Sequence, residues 1–293
     1  MVIAREIEDI NIKDRDGLAA TVGFFDGVHQ GHRYLIRQMQ EEAARRGLPT
    51  AVITFPVHPR KVLQADFQPH LLNSFEEKVR HLAALGLDYC IALDFTRELS
   101  LLDAQTFIAD VLSARWKVRM LLVGYDHRFG HERREGFEQY KMYGAACGME
   151  VLQAGRYNAE ATAVSSSEVR RLLLAGRVDE AARLLTYPYQ LRGHIVGGHR
   201  VGRRIGFPTA NIRVDEPYKL LPAIGVYAVK VRLAAADYIG MLYIGNRPTL
   251  DNGEDITLEV NILDFAGDIY EKEISVFFLY RLLNDIRFTS VEA

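Results

Sequence analysis

TVGFFDGVHQGHRYLI (residues 21–36) reads as the end of a strand running into the start of a helix. The apolar run stops at Gly23. Gly27 permits a tight turn, and Gly31 lets a ligand approach the backbone of the helix's first turn. Leu35, Ile36, Met39 and Ala43 then fall on one helix face. A helix start offers N–H groups and a partial positive charge, which favours phosphate. His29 and His32, at i and i+3 along that turn, can both donate ring N–H bonds to the same phosphate oxygens. Such a set suits in-line attack on an α-phosphate with pyrophosphate leaving, which needs donors preplaced on the accumulating negative charge rather than a covalent nucleophile. Asp26 can orient one imidazole or take part in Mg²⁺ binding. The bland alternative for either histidine alone is a helix cap or a solvated side chain.

Around this stretch the first half of the chain alternates strand-like and helix-like segments. LAATVGF (18–24), TAVITF (50–55), DYCIAL (88–93), RMLLVG (119–124) and MEVLQA (149–154) are short apolar runs of the length of buried parallel strands. DAQTFIADVL (103–112) starts on an Asp cap and carries Phe107, Val111 and Leu112 on one side. The alternation predicts a parallel sheet covered by helices, with ligands beyond the carboxyl ends of the strands.

Near residue 186 the rhythm changes. VSSSEVRRLLLAGRVDEAARLL (164–185) reads as two helices broken at Gly176, and Ser165-x-x-Glu168 has the form of a capping box. Arg170, one turn in, can reach a phosphate bidentately. Beyond TYPYQ, the segments GVYAVKVRL (225–233), YIGMLYIGN (238–246), TLEVNILDF (257–265) and EISVFFLY (273–280) predict an antiparallel, barrel-like β domain. The expected domains are therefore 1–185 and 186–293.

RGHIVGGHRVGRRIGFPTANI (192–212) is the informative stretch of the second half. Gly197, Gly198, Gly202 and Gly206 thin the side chains, and Arg203 and Arg204 add positive charge, so the backbone can bend over phosphates. It is neither a Walker loop nor a Gly-x-Gly-x-x-Gly, and an ordinary hairpin would have the same glycines. In GFPTAN, Thr209 and Asn211 alternate with Pro208 and Ala210, so both side-chain oxygens point the same way if the piece is extended. Two hard oxygen ligands there suit Mg²⁺ on ATP. YDHRFGHE offers Asp126, His127, His131 and Glu132, but their spacing fits no strong transition-metal pattern.

Composition bounds the rest. The chain has 293 residues, 48% hydrophobic, with a formal net charge of −2, which argues against nucleic-acid coating as its main business. Cys90 and Cys147 read as reduced, packed thiols. The first residues carry charges too early and too often for the pattern expected of a signal peptide, and no apolar run reaches membrane-spanning length. The expected setting is cytoplasmic, without nucleic-acid or membrane partners. The oligomeric state is not legible.

GFFDGVHQGHRYLI, LLVGYDHRFGHERREG (121–136) and the 164–185 block resemble, in order and spacing, the FAD synthetase modules of the His-x-Gly-His nucleotidyltransferases. TFPVHPRKVL (54–63) resembles their Phe-x-x-His-Pro loop, a substrate-side cover. GRRIGFPTAN is similar to the riboflavin kinase signature. The resemblance implies a Rossmann-like parallel-sheet nucleotidyltransferase domain followed by an antiparallel β-barrel kinase domain. Together they would phosphorylate riboflavin to FMN and adenylylate FMN to FAD, with ATP and Mg²⁺. It implies that His29 and His32 grip ATP phosphates within the Gly23, Phe24, Asp26, Gly27 and Gly31 turn. Ser165, Ser166, Ser167 and Arg170 would contact nucleotide phosphates, and Asp126 and Phe129 would line the flavin or adenine pocket. Gly198, Gly202, Arg203, Gly206 and Pro208 would form the kinase loop. Thr209 and Asn211 would hold Mg·ATP, and Glu259 would act as base on the ribityl 5′-hydroxyl.

The chain also departs from the pattern. Ser167 and Val169 stand for Thr and Ile in the Ser-Ser-Thr-x-Ile-Arg element, and no Lys-Met-Ser-Lys-Ser loop occurs. His127 replaces an apolar residue, Glu271 replaces a turn glycine, Leu283 stands where arginine is common, and the final helix is cut short at FTSVEA. The rival readings are a monofunctional enzyme with one degenerate domain and a non-catalytic flavin-binding regulator.

Overall fold

The computed structural model describes residues 1–11, 17–125, 127–131, 135–157, 164–197, 209–234, 236–248 and 254–284. The chain divides into two compact units, one made of Met1–Pro69 with Asn73–Ala163 and the other of His70–Leu72 with Val164–Ala293.

The first unit holds six parallel strands, β1 (Val2–Ala4), β2 (Leu18–Val22), β3 (Thr50–Thr54), β4 (Tyr89–Ala92), β5 (Val118–Val123) and β6 (Glu150–Gln153), in the order β1-β4-β3-β2-β5-β6. Five coincide with the apolar runs read from the sequence. β1 was not legible: Val2 and Ile3 are exposed and only Ala4 is buried, so this edge strand rests on backbone pairing with β4. The runs are continuous because both faces of the sheet are covered. Leu18, Ala20 and Val22 face one core with Phe107, Leu112, Trp116 and Tyr140, while Ala19 faces a second core with Ile36, Met39 and Ala43.

Helix α1 (Gln30–Arg46) buries Ile36, Met39 and Ala43 and ends on Gly47 at φ 65°. α2 (Pro59–Leu63), α3 (Phe75–Ala83) and α4 (Arg97–Ser100) follow. α5 (Ala104–Thr106) starts on Asp103, whose Oδ1 accepts from the Thr106 N–H at 2.7 Å, and continues as a π-helical segment over Phe107–Arg115. That widening was not legible in the sequence. α6 (Phe137–Ala146) leads into β6.

The strand order reverses between β2 and β5. The crevice beyond their carboxyl ends is the topological switch point, where ligands bind in open α/β sheets. The loops leaving β2 and β5 carry the His-x-Gly-His turn and the Tyr125–Gly130 segment.

In the second unit, α7 (Ser166–Leu174) and α8 (Val178–Leu185) are separated at Gly176, φ +74°. Val169, Leu172, Leu173, Val178, Ala181 and Leu185 pack into the core of the barrel that follows. Its strands are β7 (Gln190–Val196), β8 (Ala210–Val214), β9 (Gly225–Leu233), β10 (Ala236–Pro248), β11 (Glu254–Ile262) and β12 (Glu273–Leu283). They close in the order β10-β11-β8-β7-β12-β9, which removes open sheet edges. Inward residues alternate, as with Tyr227, Val229 and Val231 in β9 and Leu258, Val260 and Ile262 in β11.

Candidate active sites

In the first unit, Gly23–Val28 makes a strained turn. Phe25 stands at φ 53°, Gly27 at φ 83° and Val28 at φ 38°. A β-branched residue at positive φ is an outlier that persists only when its surroundings over-determine it. They do so here. The Phe24 carbonyl accepts from the Thr54 hydroxyl at 3.1 Å and from the Lys78 ammonium at 3.0 Å. Asp26, 4% exposed, accepts the Asn73 N–H on Oδ1 at 3.1 Å. The Arg33 guanidinium donates to the Val28 carbonyl at 3.0 Å.

The turn delivers His29 as the N-cap of α1. Its Nδ1 accepts from the His32 N–H at 3.4 Å, so the proton of the neutral imidazole lies on Nε2 and makes that atom a donor. The cap role and the phosphate role are therefore compatible. The two rings stack at 3.7 Å between centroids and 17° between planes, and Phe25 meets His32 edge-on at 5.2 Å.

His32 Nδ1 is buried and has no hydrogen-bond partner in the structure. Burial, then the nearby charges of His29, Lys78 and His127, hold the His32 imidazole well below its ordinary range. His127, read from the sequence as a weak metal candidate and as a departure from the family pattern, thus contributes to the electrostatics of this crevice. Two imidazoles at a helix N-terminus suit an anion.

Phe129 stacks on Tyr140 at 4.2 Å and meets Phe107 at 5.5 Å. His58 caps α2, its Nδ1 accepting from the Arg60 N–H at 3.2 Å, and its ring meets Phe24 at 4.6 Å. Asp126, Gly198, Gly202, Arg203, Gly206 and Pro208 lie outside the described residues.

In the second unit, Ser165 caps α7, its hydroxyl accepting from the Glu168 N–H at 3.2 Å. The Glu168 carboxylate bonds Arg171 at 2.6 and 2.8 Å, so this capping box has one arm only. Ser166 and Ser167 form the first turn, and Arg170 Nε donates to the His70 carbonyl at 2.9 Å.

The barrel brings Thr209, Asn211 and Glu259 together. The ends of the glycine-rich stretch pair, Val196 with Asn211 and Ile195 with Ile212, so β7 and β8 are its flanks. Across β8 and β11, Asn211 lies opposite Glu259, which puts both on one face. The Thr209 hydroxyl donates to Glu259 Oε2 at 3.3 Å. These are oxygen donors of the kind Mg²⁺ takes together with phosphate oxygens. A cleft of about 410 Å³ opens beside Asn211, lined also by Val196, Gly197, Lys219 and Thr257, large enough for a small ligand.

The next residue in the row, Tyr243, lies opposite Glu259 on β10 and was missed in the sequence. Its ring lies 2.2 Å from where a side chain at Gly245 would begin, a neighbour relation that only the strand register makes visible. Among the described residues no cluster of three His, Cys, Asp or Glu could hold a metal.

A switch-point crevice holding two stacked imidazoles, and a barrel patch of Thr, Asn and Glu, fit a two-module nucleotide-dependent transferase. Comparisons agree. The FAD synthetase family matches residues 11–168, and the riboflavin kinase family matches 185–293. The bifunctional riboflavin kinase/FMN adenylyltransferase of Escherichia coli K12 is 36% identical over 100% of this chain and 93% of its own length. That of Listeria monocytogenes is 38% identical over 92% of this chain and 86% of its own. A crystal structure described as a macrolide-efflux protein from Streptococcus pneumoniae superposes with a TM-score of 0.87 at 32% identity, covering 99% of this chain and 93% of that one. The efflux name belongs to that protein; among the described residues here no helix is long and apolar enough to cross a membrane. The chain belongs to the bifunctional riboflavin kinase/FMN adenylyltransferase family.

Proposed function

We propose a division of labour in which the barrel unit phosphorylates riboflavin to FMN and the parallel-sheet unit adenylylates FMN to FAD. The observation that carries the kinase half is the Thr209–Asn211–Glu259 cluster, assembled by the pairing of β8 and β11. Glu259 accepts the proton of the ribityl 5′-hydroxyl as that oxygen attacks the γ-phosphate and ADP leaves. Thr209 and Asn211 hold Mg·ATP. The glycine-rich stretch with Gly198, Gly202, Arg203, Gly206 and Pro208 covers the phosphates. Mg²⁺, when bound, supplies charge neutralisation on the transferring phosphoryl group.

In the other unit the phosphate of FMN attacks the α-phosphate of ATP in line, the bond to the β-phosphate breaks, and pyrophosphate departs. His29 Nε2 and His32 donate to phosphate oxygens as their charge grows. Ser165, Ser166, Ser167 and Arg170, although grouped by the fold with the barrel, are assigned by their motif to the nucleotide phosphates of this reaction, with Asp126 and Phe129 at the flavin or adenine pocket. The modules are assigned as 1–185 and 186–293; the family matches to 11–168 and 185–293 fit that division, whereas the fold groups Val164–Leu185 with the barrel.

The substrates are small molecules, the compartment is the cytoplasm, and neither nucleic acid nor membrane takes part. The free thiols of Cys90, pushed up to about 11 by burial, and Cys147 support a reducing compartment. The test is a chromatographic time course with riboflavin, ATP and Mg²⁺. FMN should rise before FAD; riboflavin left untouched while supplied FMN becomes FAD would remove the kinase assignment.

A further inference from the structure

Lys78 is a charged side chain that neither reaction above uses. It lies in α3 and is 2% exposed. Its ammonium donates to the carbonyl of Phe24 at 3.0 Å, just after β2, and to that of Phe55 at 2.9 Å, just after β3. It also sits 4.1 Å over the Phe24 ring and 5.4 Å from the Phe75 ring. These contacts tie Phe24, near the start of the strained turn, to the end of the neighbouring strand. Phe25 and Val28, both at positive φ, stand between that anchor and His29. Strain of this kind persists only while the surroundings over-determine it and relaxes when its restraints go.

A buried ammonium is an expensive way to join two carbonyls, because desolvation disfavours its charge. Burial brings Lys78 down to about 8, against the opposing pull of Asp26. Its charge is one of those that disfavour protonation of His32.

We propose that Lys78 is a positioning residue for adenylyl transfer, clamping the Phe24–Val28 turn to the end of β3 so that His29 and His32 are held on the phosphates. The inference rests on the reading of those histidines as phosphate donors.

The experiment uses full-length Lys78→Met, Lys78→Arg and Thr54→Val proteins. Each is assayed for FAD formation from FMN with Mg·ATP, for riboflavin phosphorylation in the same preparation, and for thermal unfolding. Lys78→Met should lower kcat for FAD formation about 100-fold, with KM for FMN within about threefold, since a misplacement near 1 Å costs rate on that scale. Lys78→Arg, which keeps the charge in a tighter fit, should recover about tenfold of that loss. Riboflavin phosphorylation should not change.

A role in packing alone gives a different pattern: Lys78→Met would lower the unfolding temperature with kcat per folded molecule unaltered, and the bulkier Arg would be the worse variant. Either result overturns the proposal. Should Lys78→Met not fold, Thr54→Val removes the other donor to the Phe24 carbonyl at nearly constant volume, and it should cost about tenfold in kcat; an unaltered kcat there also overturns the clamp. A His32→Ala protein that still makes FAD would sink the histidine assignment itself. An inactive His32→Ala beside a fully active Lys78→Met sinks only the role given to Lys78.

Discussion

In the parallel-sheet unit the two histidines of the candidate site come from one contiguous stretch, locked by a strained turn and by buried donors beneath it. In the barrel the corresponding groups come from strands 50 residues apart and meet because β8 and β11 pair in one register, with a single 3.3 Å bond between Thr209 and Glu259. The first site is organised by local backbone geometry, the second by sheet register. The first should be sensitive to whatever releases the turn, the second to whatever shifts a strand.

The largest effects should come from removing the groups themselves. His29→Ala and His32→Ala should each cut FAD formation by about 10²–10³-fold, the scale for a lost charge-stabilising donor. FMN formation should be untouched, as a flavin assay with riboflavin and then with FMN would read. Asn211→Ala and Glu259→Ala should do the reverse, with FMN formation down about 10²–10⁴-fold. An Asn211→Ala protein making FMN at the parental rate would refute its Mg·ATP role.

Register can be attacked without touching a ligand group. A side chain begun at Gly193 would lie 2.1 Å from the Arg213 carbonyl oxygen, across the β7–β8 pair that leads to Asn211. Gly193→Ala should destabilise the barrel by about 1–3 kcal/mol in denaturant unfolding and lower FMN formation, with FAD formation from FMN retained.

The turn has its own signature in acid. His32 is held well below its ordinary 6.5 in the folded state, chiefly by burial. As pH falls through 6.5 the unfolded chain takes up a proton that the folded chain refuses, so stability is lost from there down to the lowered folded value. The slope should reach about 1.4 kcal/mol per pH unit at most, and His32→Gln should flatten it. An identical slope in that variant would contradict the burial argument. Smallest of all, Glu271 stands at φ 61° where glycine is at ease, and Glu271→Gly should stabilise the barrel by about 0.5–1 kcal/mol with both activities unchanged.

The contrast also explains what could be read from the sequence. The parallel strands were legible because two covered faces leave unbroken apolar runs, and His29 and His32 because glycines and histidines at fixed offsets describe one local turn. β1 was not, since Val2 and Ile3 have no core face. Thr209 and Asn211 were legible through their alternation, but that Tyr243 stands opposite Glu259 is a fact of register between β10 and β11. Lys78 hid in FEEKVRHLA, where a lysine among glutamates reads as a solvent-facing charge. Its burial is set by where α3 docks, which no local pattern encodes.

The central claim is that one chain carries two separable sites. It is tested most directly by mixing His32→Ala and Asn211→Ala proteins with riboflavin, ATP and Mg²⁺. Neither variant alone should convert riboflavin to FAD. The mixture should do so, with FMN made by the His32→Ala barrel consumed by the Asn211→Ala nucleotidyltransferase unit. If either variant alone lacks both activities, or the mixture yields no FAD, the two-site account is wrong.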